Sequence, residues 1–177
     1  ERLMPHLHLS IQHGDDLILK RMKRRHLARD VIRFCDEARR RRSDIVFGAD
    51  IIAGFPTETV AAHAASLDLI KRAGITFLHV FPFSPREGTP AALMPQLDGN
   101  LIRERAAELR HCGRARRSIF FENLFGSHDQ MLVETGNIGH GRNYSRMKLS
   151  GDYVAGGSLV DVTITEMQND LLVVQRR

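Results

Sequence analysis

Two scarcities bound this sequence before any motif is read. The 177 residues include only two cysteines, Cys35 and Cys112, each inside a helix-like stretch with nothing to suggest a pair. That excludes a disulfide framework, and with it the small secreted scaffolds that depend on one. No hydrophobic run approaches the roughly 20 residues needed to span a bilayer, and the opening Glu1-Arg2-Leu3-Met4-Pro5 has no signal-peptide pattern. These absences predict a cytoplasmic protein with no membrane partner. An initiator methionine is lacking too, and the chain enters a strand almost at once, so the natural protein is expected to continue upstream.

What is present is globular. A composition 42% hydrophobic and 27% charged supports one or two compact domains with a real core. The net charge of +5 and a sequence pI near 9.8 suit a polyanionic partner, although such an excess of Lys and Arg also serves plain solubility.

His6 to Gln12 alternates, with Leu7, Leu9 and Ile11 on one face and His8, Ser10 and Gln12 on the other, which predicts a strand with a polar face. A short helix over 15–21 and a longer one over 28–42 follow, the second burying Val31, Ile32, Cys35 and Ala38 at helical spacing. Strands are predicted over 46–53 and 76–81, with a turn at Gly54-Phe55-Pro56-Thr57 and a helix over 58–73 between them. Strands alternating with helices indicate βαβ units and a parallel sheet. Three strands cannot close the barrel such units build, which takes about 250 residues, so the α/β part is expected to be a partial (β/α) barrel. A loop over 82–95 and a long helix over 101–123 come next, its polar face expected to carry Arg103, Arg105, Arg110, Arg114, Arg116 and Arg117. From Asp129 onward short β-rich runs alternate with Gly-rich turns, as in a small antiparallel β-barrel. The boundary is set near Ser127, giving domains 1–127 and 128–177.

In a parallel α/β barrel function sits at the C-terminal ends of the strands, which singles out Ser10, Gln12, Asp50, Gly54 and the loop after Phe81. Asp50 interrupts an apolar strand, where an unpaired charge is costly; it either serves a ligand or forms a structural salt bridge with a neighbouring Arg. Gly54 lets a ligand approach the backbone or merely starts a turn in which Thr57 caps the next helix. His6 and His8 form a His-x-His pair that invites a metal reading, but they lie at the wrong end of their strand for a barrel metal site, which favours barrel filling; no other His or Cys cluster has metal spacing along the chain. Arg86, in the Pro-rich loop 84–90, can fork onto a phosphate or carboxylate or sit as a rim charge. Arg142, Asn143, Tyr144, Arg146 and Lys148 gather cations, an amide and a ring about a glycine turn, a set that suits phosphates and base stacking as well as it suits a plain charged hairpin.

Four runs carry a family resemblance: His8-Leu9-Ser10-Ile11-Gln12-His13-Gly14, Leu19-Lys20-Arg21-Met22-Lys23-Arg24-Arg25, Asp50-Ile51-Ile52-Ala53-Gly54-Phe55-Pro56-Thr57-Glu58-Thr59, and Phe81-Pro82-Phe83-Ser84-Pro85-Arg86-Glu87-Gly88-Thr89-Pro90. In this order they resemble the radical S-adenosylmethionine (SAM) tRNA methylthiotransferases. The tail from about His128 resembles that family's TRAM domain, an OB-like RNA-binding barrel, so the resemblance spans essentially the whole chain. His79-Val80-Phe81-Pro82-Phe83-Ser84 and the early His8-Leu9-Ser10 look most like the branch acting on threonylcarbamoyladenosine beside the tRNA anticodon, with the isopentenyladenosine branch next.

The resemblance implies that Gln12, Arg24 and Asp50 face S-adenosylmethionine: Asp50 on the ribose hydroxyls, Arg24 and Gln12 on the aminocarboxylate. Such contacts fit the residue types, since a carboxylate accepts from a diol and a guanidinium forks onto a carboxylate. Ile52 and Gly54 are implied beside the adenine, Ser84 and Arg86 at the entrance for the tRNA base, and Arg142, Asn143, Tyr144, Arg146 and Lys148 on the anticodon stem-loop. The family also implies a sulfur donor and two 4Fe-4S clusters. Its Cys-x-x-x-Cys-x-x-Cys run is absent here, and two isolated cysteines cannot hold a four-cysteine cluster, so this chain alone is expected to be inactive. Two readings of other classes remain: a stand-alone RNA-binding protein on a barrel scaffold, and a metal-dependent barrel hydrolase using His6 and His8.

Overall fold

The computed structural model describes residues 3–177. Two compact units result, one spanning Leu7–Arg116 and the other Arg117–Arg177 together with residues 3–6.

The first unit runs β1 (His6–Gln12), α1 (Asp16–Arg21), α2 (Ala28–Arg41), β2 (Val46–Ala53), α3 (Val60–Arg72), β3 (Ile75–Pro82), a 3-10 turn (Pro90–Leu93) and the greater part of α4 (Gly99–Glu122). Its strands form a parallel three-stranded sheet in the order β1-β2-β3, as the βαβ alternation predicts. Register pairs Asp50 with His79 and Ile52 with Phe81. Because alternate residues share a face, His8, Ser10 and Gln12 of β1, Asp50 and Ile52 of β2, and His79 and Phe81 of β3 occupy the less buried face. The opposite face is the core: Ile11, Phe47, Ala49, Ile51 and Ala53 pack with Val31 and Cys35 of α2, Leu69 and Ile70 of α3, and Ala106 and Leu109 of α4.

Asp15 caps α1, its carboxylate accepting from the Ile18 N–H at 2.9 Å. The start of α3 differs from expectation. The helix begins at Val60, with Thr59 as its cap, the hydroxyl accepting from the Ala62 N–H at 3.1 Å. Thr57 does not cap, because it adopts a left-handed φ of 68°, and Glu58 stays outside the helix because its carboxylate is committed to a buried network described below. Arg105 is a second correction: it is 5% exposed and not part of the polar face of α4. Its NH1 donates to the Glu58 carboxylate at 2.8 Å and to the Glu58 carbonyl at 2.9 Å.

The second unit holds β4 (His128–Thr135), β5 (Ile138–Gly141), β6 (Arg146–Leu149), β7 (Leu159–Gln168) and β8 (Leu171–Arg176), closed into a barrel in the order β4-β5-β6-β8-β7. The expected purely antiparallel barrel is corrected to a mixed one, since β6 and β8 pair in parallel. Geometry requires this: directions cannot alternate all the way round a closed ring with an odd number of strands. Met131, Val133, Met147, Val162, Ile164 and Leu172 fill the interior, and the intervening residues, Arg146 and Lys148 among them, face outward. β5 escapes sequence reading because Ile138-Gly139-His140-Gly141 looks like a turn; Gly139 is needed there, as a Cβ would come within 1.9 Å of the Leu132 carbonyl on β4.

Candidate functional site

The C-terminal ends of β1, β2 and β3 carry two cavities with shared walls. One, of about 500 Å³, is lined by Gln12, Asp50, Ile52, Phe81, Ser84 and Arg86 among others. The other, of about 320 Å³, is lined by Gln12, Arg21, Arg24, Ile52 and Phe55 together with Thr89 and the first two residues of the 3-10 turn, Pro90 and Ala91. Gln12, Ile52, Thr89 and Ala91 belong to both. Residues expected from four separate sequence runs, Gln12, Arg24, Asp50, Ile52, Ser84 and Arg86, thus meet in one region.

Each is set there by local structure. Gln12 ends β1 with a φ of 71°, a left-handed conformation that turns the chain out of the strand. Arg24 NH2 donates to the Ser10 carbonyl at 2.8 Å, which anchors the guanidinium beside β1 and commits one of its donors. Gly54, with a φ of 73°, makes a different approach: its N–H donates to Glu58 at 2.9 Å, and a Cβ there would lie 2.7 Å from the Ile102 side chain of α4. Its glycine requirement comes from helix packing and turn geometry.

Beneath the site lies a buried polar network that sequence reading missed. Glu58 Oε2 accepts from His13 Nε2 at 3.0 Å and from the Gly54 N–H, while Oε1 accepts from Arg105. His13 Nδ1 accepts from the Asp15 N–H at 3.0 Å, so the imidazole proton sits on Nε2, facing Glu58. Burial works hardest on the Glu58 carboxyl and would raise its pKa. The His13, Gly54 and Arg105 interactions outweigh it and leave the group below the ordinary carboxylate range. The network joins the ends of β1 and β2 to α3 and α4, fixing the floor under Gln12 and Gly54.

Asp50 has partners other than the expected arginine. Its Oδ1 accepts from His8 Nε2 at 2.8 Å and lies 3.5 Å from His79 Nδ1, the two imidazoles standing 4.9 Å apart. His8 is therefore joined by His79, not by His6, and the missing signal was strand register, which no spacing along the chain reveals.

Neither cysteine suits a cluster. Cys35 is buried in the core, its thiol pushed by burial up to about 11, and Cys112 is free and half-buried on α4. The residues of this chain do not fit an iron–sulfur cluster.

In the barrel unit, Arg142, Tyr144, Arg146 and Lys148 are exposed and Asn143 is half-buried. Tyr144 has a φ of 67° and stacks on His140, ring centroids 4.6 Å apart and planes 15° from parallel. Asn143 Oδ1 accepts from the Ser145 N–H at 3.0 Å, so this amide shapes the turn that presents the Tyr144 ring. Arg146 pairs with His140 across β5 and β6, which puts cation and ring stack on one outward face. No described helix is long and apolar enough to cross a membrane.

No protein-family model matches the chain. Among curated proteins, it is 50% identical over 159 residues to the threonylcarbamoyladenosine tRNA methylthiotransferase of Rickettsia prowazekii, covering 90% of this chain and 38% of that protein. It is 34% identical over 174 residues to the tRNA-2-methylthio-N(6)-dimethylallyladenosine synthase of Paracoccus denitrificans, covering 93% of this chain and again 38% of the relative. The synthase of that name from Cereibacter sphaeroides is 44% identical over 109 residues, 62% of this chain and 25% of its own length. The chain thus spans about two fifths of the length of the first two relatives. The first two matches take in nine tenths or more of this chain, which is thus similar, over most of its length, to a part of two tRNA methylthiotransferases.

Proposed function

We propose that this chain is the portion of a radical S-adenosylmethionine tRNA methylthiotransferase that lines the cofactor and base pocket and grips the tRNA. The observation that carries the reading is the convergence of Gln12, Arg24, Asp50, Ile52, Ser84 and Arg86 in adjoining cavities at the ends of parallel strands. The three-stranded sheet is then a sector of a larger (β/α) barrel, its half-exposed polar face turned toward the barrel interior.

S-adenosylmethionine, held with a 4Fe-4S cluster from outside this chain, would supply the radical that opens C2 of the adenine to sulfur; a second cluster would likewise be held outside this chain, and a sulfur donor would act as a partner. This chain's residues bind and orient. Gln12 and Arg24 suit the aminocarboxylate end of the cofactor, as amide and guanidinium donors do. Asp50 suits the ribose diol through Oδ2, because Oδ1 is taken by the imidazoles. Ile52 offers an apolar surface to the adenine, and Gly54 shapes the turn behind it. Ser84 and Arg86 stand at the rim where a target base would enter.

The substrate we propose is threonylcarbamoyladenosine next to the tRNA anticodon. The name of the Rickettsia relative, at 50% identity, supports this, and so does the rim chemistry, since a threonylcarbamoyl group carries a carboxylate that Arg86 can meet. The dimethylallyladenosine named for the Paracoccus relative has an apolar group with no use for that cation. The exposed Tyr144, Arg142, Arg146 and Lys148 of the barrel, with Asn143 setting the turn, suit an RNA stem-loop by stacking and phosphate contact. A chimera tests the reading: this chain replaces the matching segment of the Rickettsia enzyme, and reconstituted protein is given tRNA bearing either modified adenosine. Methylthiolation of the threonylcarbamoyl substrate in preference to the dimethylallyl one is expected; the reverse preference would overturn the substrate assignment.

A further inference from the structure

On the less buried face of the sheet, Asp50 is joined by two imidazoles that the proposed function does not use. His8 of β1, Asp50 of β2 and His79 of β3 offer ligand atoms that all lie within 4.8 Å of one another. We propose that His8, Asp50 and His79 form a three-ligand site for a divalent transition cation.

Three observations support it. The donor set, two imidazoles and a carboxylate, is the one that zinc and iron(II) take in sites that keep positions open for exchangeable ligands. Its spacing is suitable. Ligand atoms about 2.0–2.1 Å from a tetrahedral metal stand about 3.3 Å from each other, and the His8–Asp50 and His79–Asp50 distances of 2.8 and 3.5 Å bracket that value. The backbone holds the set: Asp50 and His79 are register partners on adjacent parallel strands, so two of the three donors cannot drift apart without breaking the ladder. Nε2 of His8, Nδ1 of His79 and Oδ1 of Asp50 are the atoms that would meet the ion.

The site also has somewhere to act. Asp50 lines the cavity of about 500 Å³ with Gln12 and Phe81, so the ion would sit beside that cavity, where its open positions could take water or an oxygen, nitrogen or sulfur donor of a bound molecule. His8 and Asp50 side chains are 34% and 26% exposed and His79 is 62% exposed, which leaves an entry path. The proposal stands on the chain's own residues and does not depend on the methylthiotransferase reading.

The test uses the full 177-residue chain, stripped with chelator and titrated with Co²⁺, read by visible absorption, and with Zn²⁺, read by calorimetry. One equivalent of metal is expected, with the affinity falling at least tenfold in each of His8→Ala, His79→Ala and Asp50→Asn and unchanged in His140→Ala. In the unsubstituted chain, the imidazole proton resonances of His8 and His79 should shift on adding Zn²⁺ while those of His13 stay in place. Absence of stoichiometric binding, or binding that survives loss of His8 and His79, would overturn the proposal. Resonances that move elsewhere but not at these two histidines would overturn it even if a variant failed to fold.

Discussion

Glu58 accepts a hydrogen bond from His13 at 3.0 Å, both side chains 1% exposed, and this contact ties the turn after β1 to the turn after β2. Arg105 of α4 completes a buried ion pair with the same carboxylate at 2.8 Å. The floor fixes the site from below, since Gln12 directly precedes His13 in the chain and the Gly54 N–H donates to Glu58.

Removing the Glu58 charge should therefore be costly. Glu58→Gln leaves Arg105 buried without its anion, and a loss of about 3 kcal/mol in unfolding free energy is expected, measured by urea denaturation. The pH dependence has a definite sign. The folded carboxyl lies below its ordinary range, so its contribution is fully present above the unfolded-state value and lost as pH falls through the lower folded one. The gap between parent and Glu58→Gln should hold at neutral pH and narrow in acid. A gap that widens as the solution is acidified would contradict the ion-pair account.

Gly14 is the point where β1's turn meets α3. Its N–H donates to Ser66 Oγ at 3.0 Å, and a Cβ would lie 2.4 Å from the Ala65 carbonyl oxygen and the Ser66 Cα. Backbone cannot yield as a side chain can, so Gly14→Ala should destabilise by about 1–3 kcal/mol, the usual range for overpacking. Gly136→Ala makes a useful comparison. No heavy atom stands within 4 Å of its Cβ position, and only its φ of 60° opposes the substitution.

Thiol chemistry separates the two cysteines. Burial, as the largest influence, raises the Cys35 thiol to about 11, so it remains protonated and shielded at pH 8. Native alkylation followed by mass spectrometry should label half-buried Cys112 first and Cys35 only on unfolding. Rapid labelling of Cys35 in the folded chain would show that α2 does not pack as described.

The RNA face yields a binding prediction. Arg146 and Lys148 point outward from β6 on the strand face that also presents His140 and Tyr144. Arg146→Ala combined with Lys148→Ala should weaken tRNA binding and flatten the slope of log affinity against log salt by roughly 1.5–2, one increment per lost phosphate contact. Tyr144→Ala should weaken binding with the salt slope preserved, because stacking releases no counterions. Fluorescence anisotropy across a salt series separates the two.

Much of the fold was legible because it is local. The alternation of Leu7, Leu9 and Ile11 gave β1, and helical spacing around Val31 and Cys35 gave α2. What escaped depended on partners far away in sequence. Arg105 looks like one more cation on a basic helix until Glu58, 47 residues earlier, is seen to bind it. Glu58 reads as a helix-starting acid, yet the acceptor demand of Gly54 and His13 holds it outside α3 and shifts the cap to Thr59. Asp50 was recognised as anomalous, but its partners, 42 and 29 residues away, are set by parallel register and not by any spacing along the chain. In the barrel, the parallel β6–β8 pair follows from strand count and closure, properties that no single strand encodes.

The most direct test of the central claim is cofactor binding in the chimera built from this chain and the remainder of the Rickettsia enzyme. The KM for S-adenosylmethionine is compared among the parent, Gln12→Ala and Glu37→Ala, the last a surface carboxylate on α2 remote from the cavities. The account predicts active parent and Glu37→Ala chimeras with matching KM, and a KM raised at least tenfold in Gln12→Ala. An active chimera whose KM is indifferent to Gln12 would contradict the claim that the ends of these strands hold the cofactor.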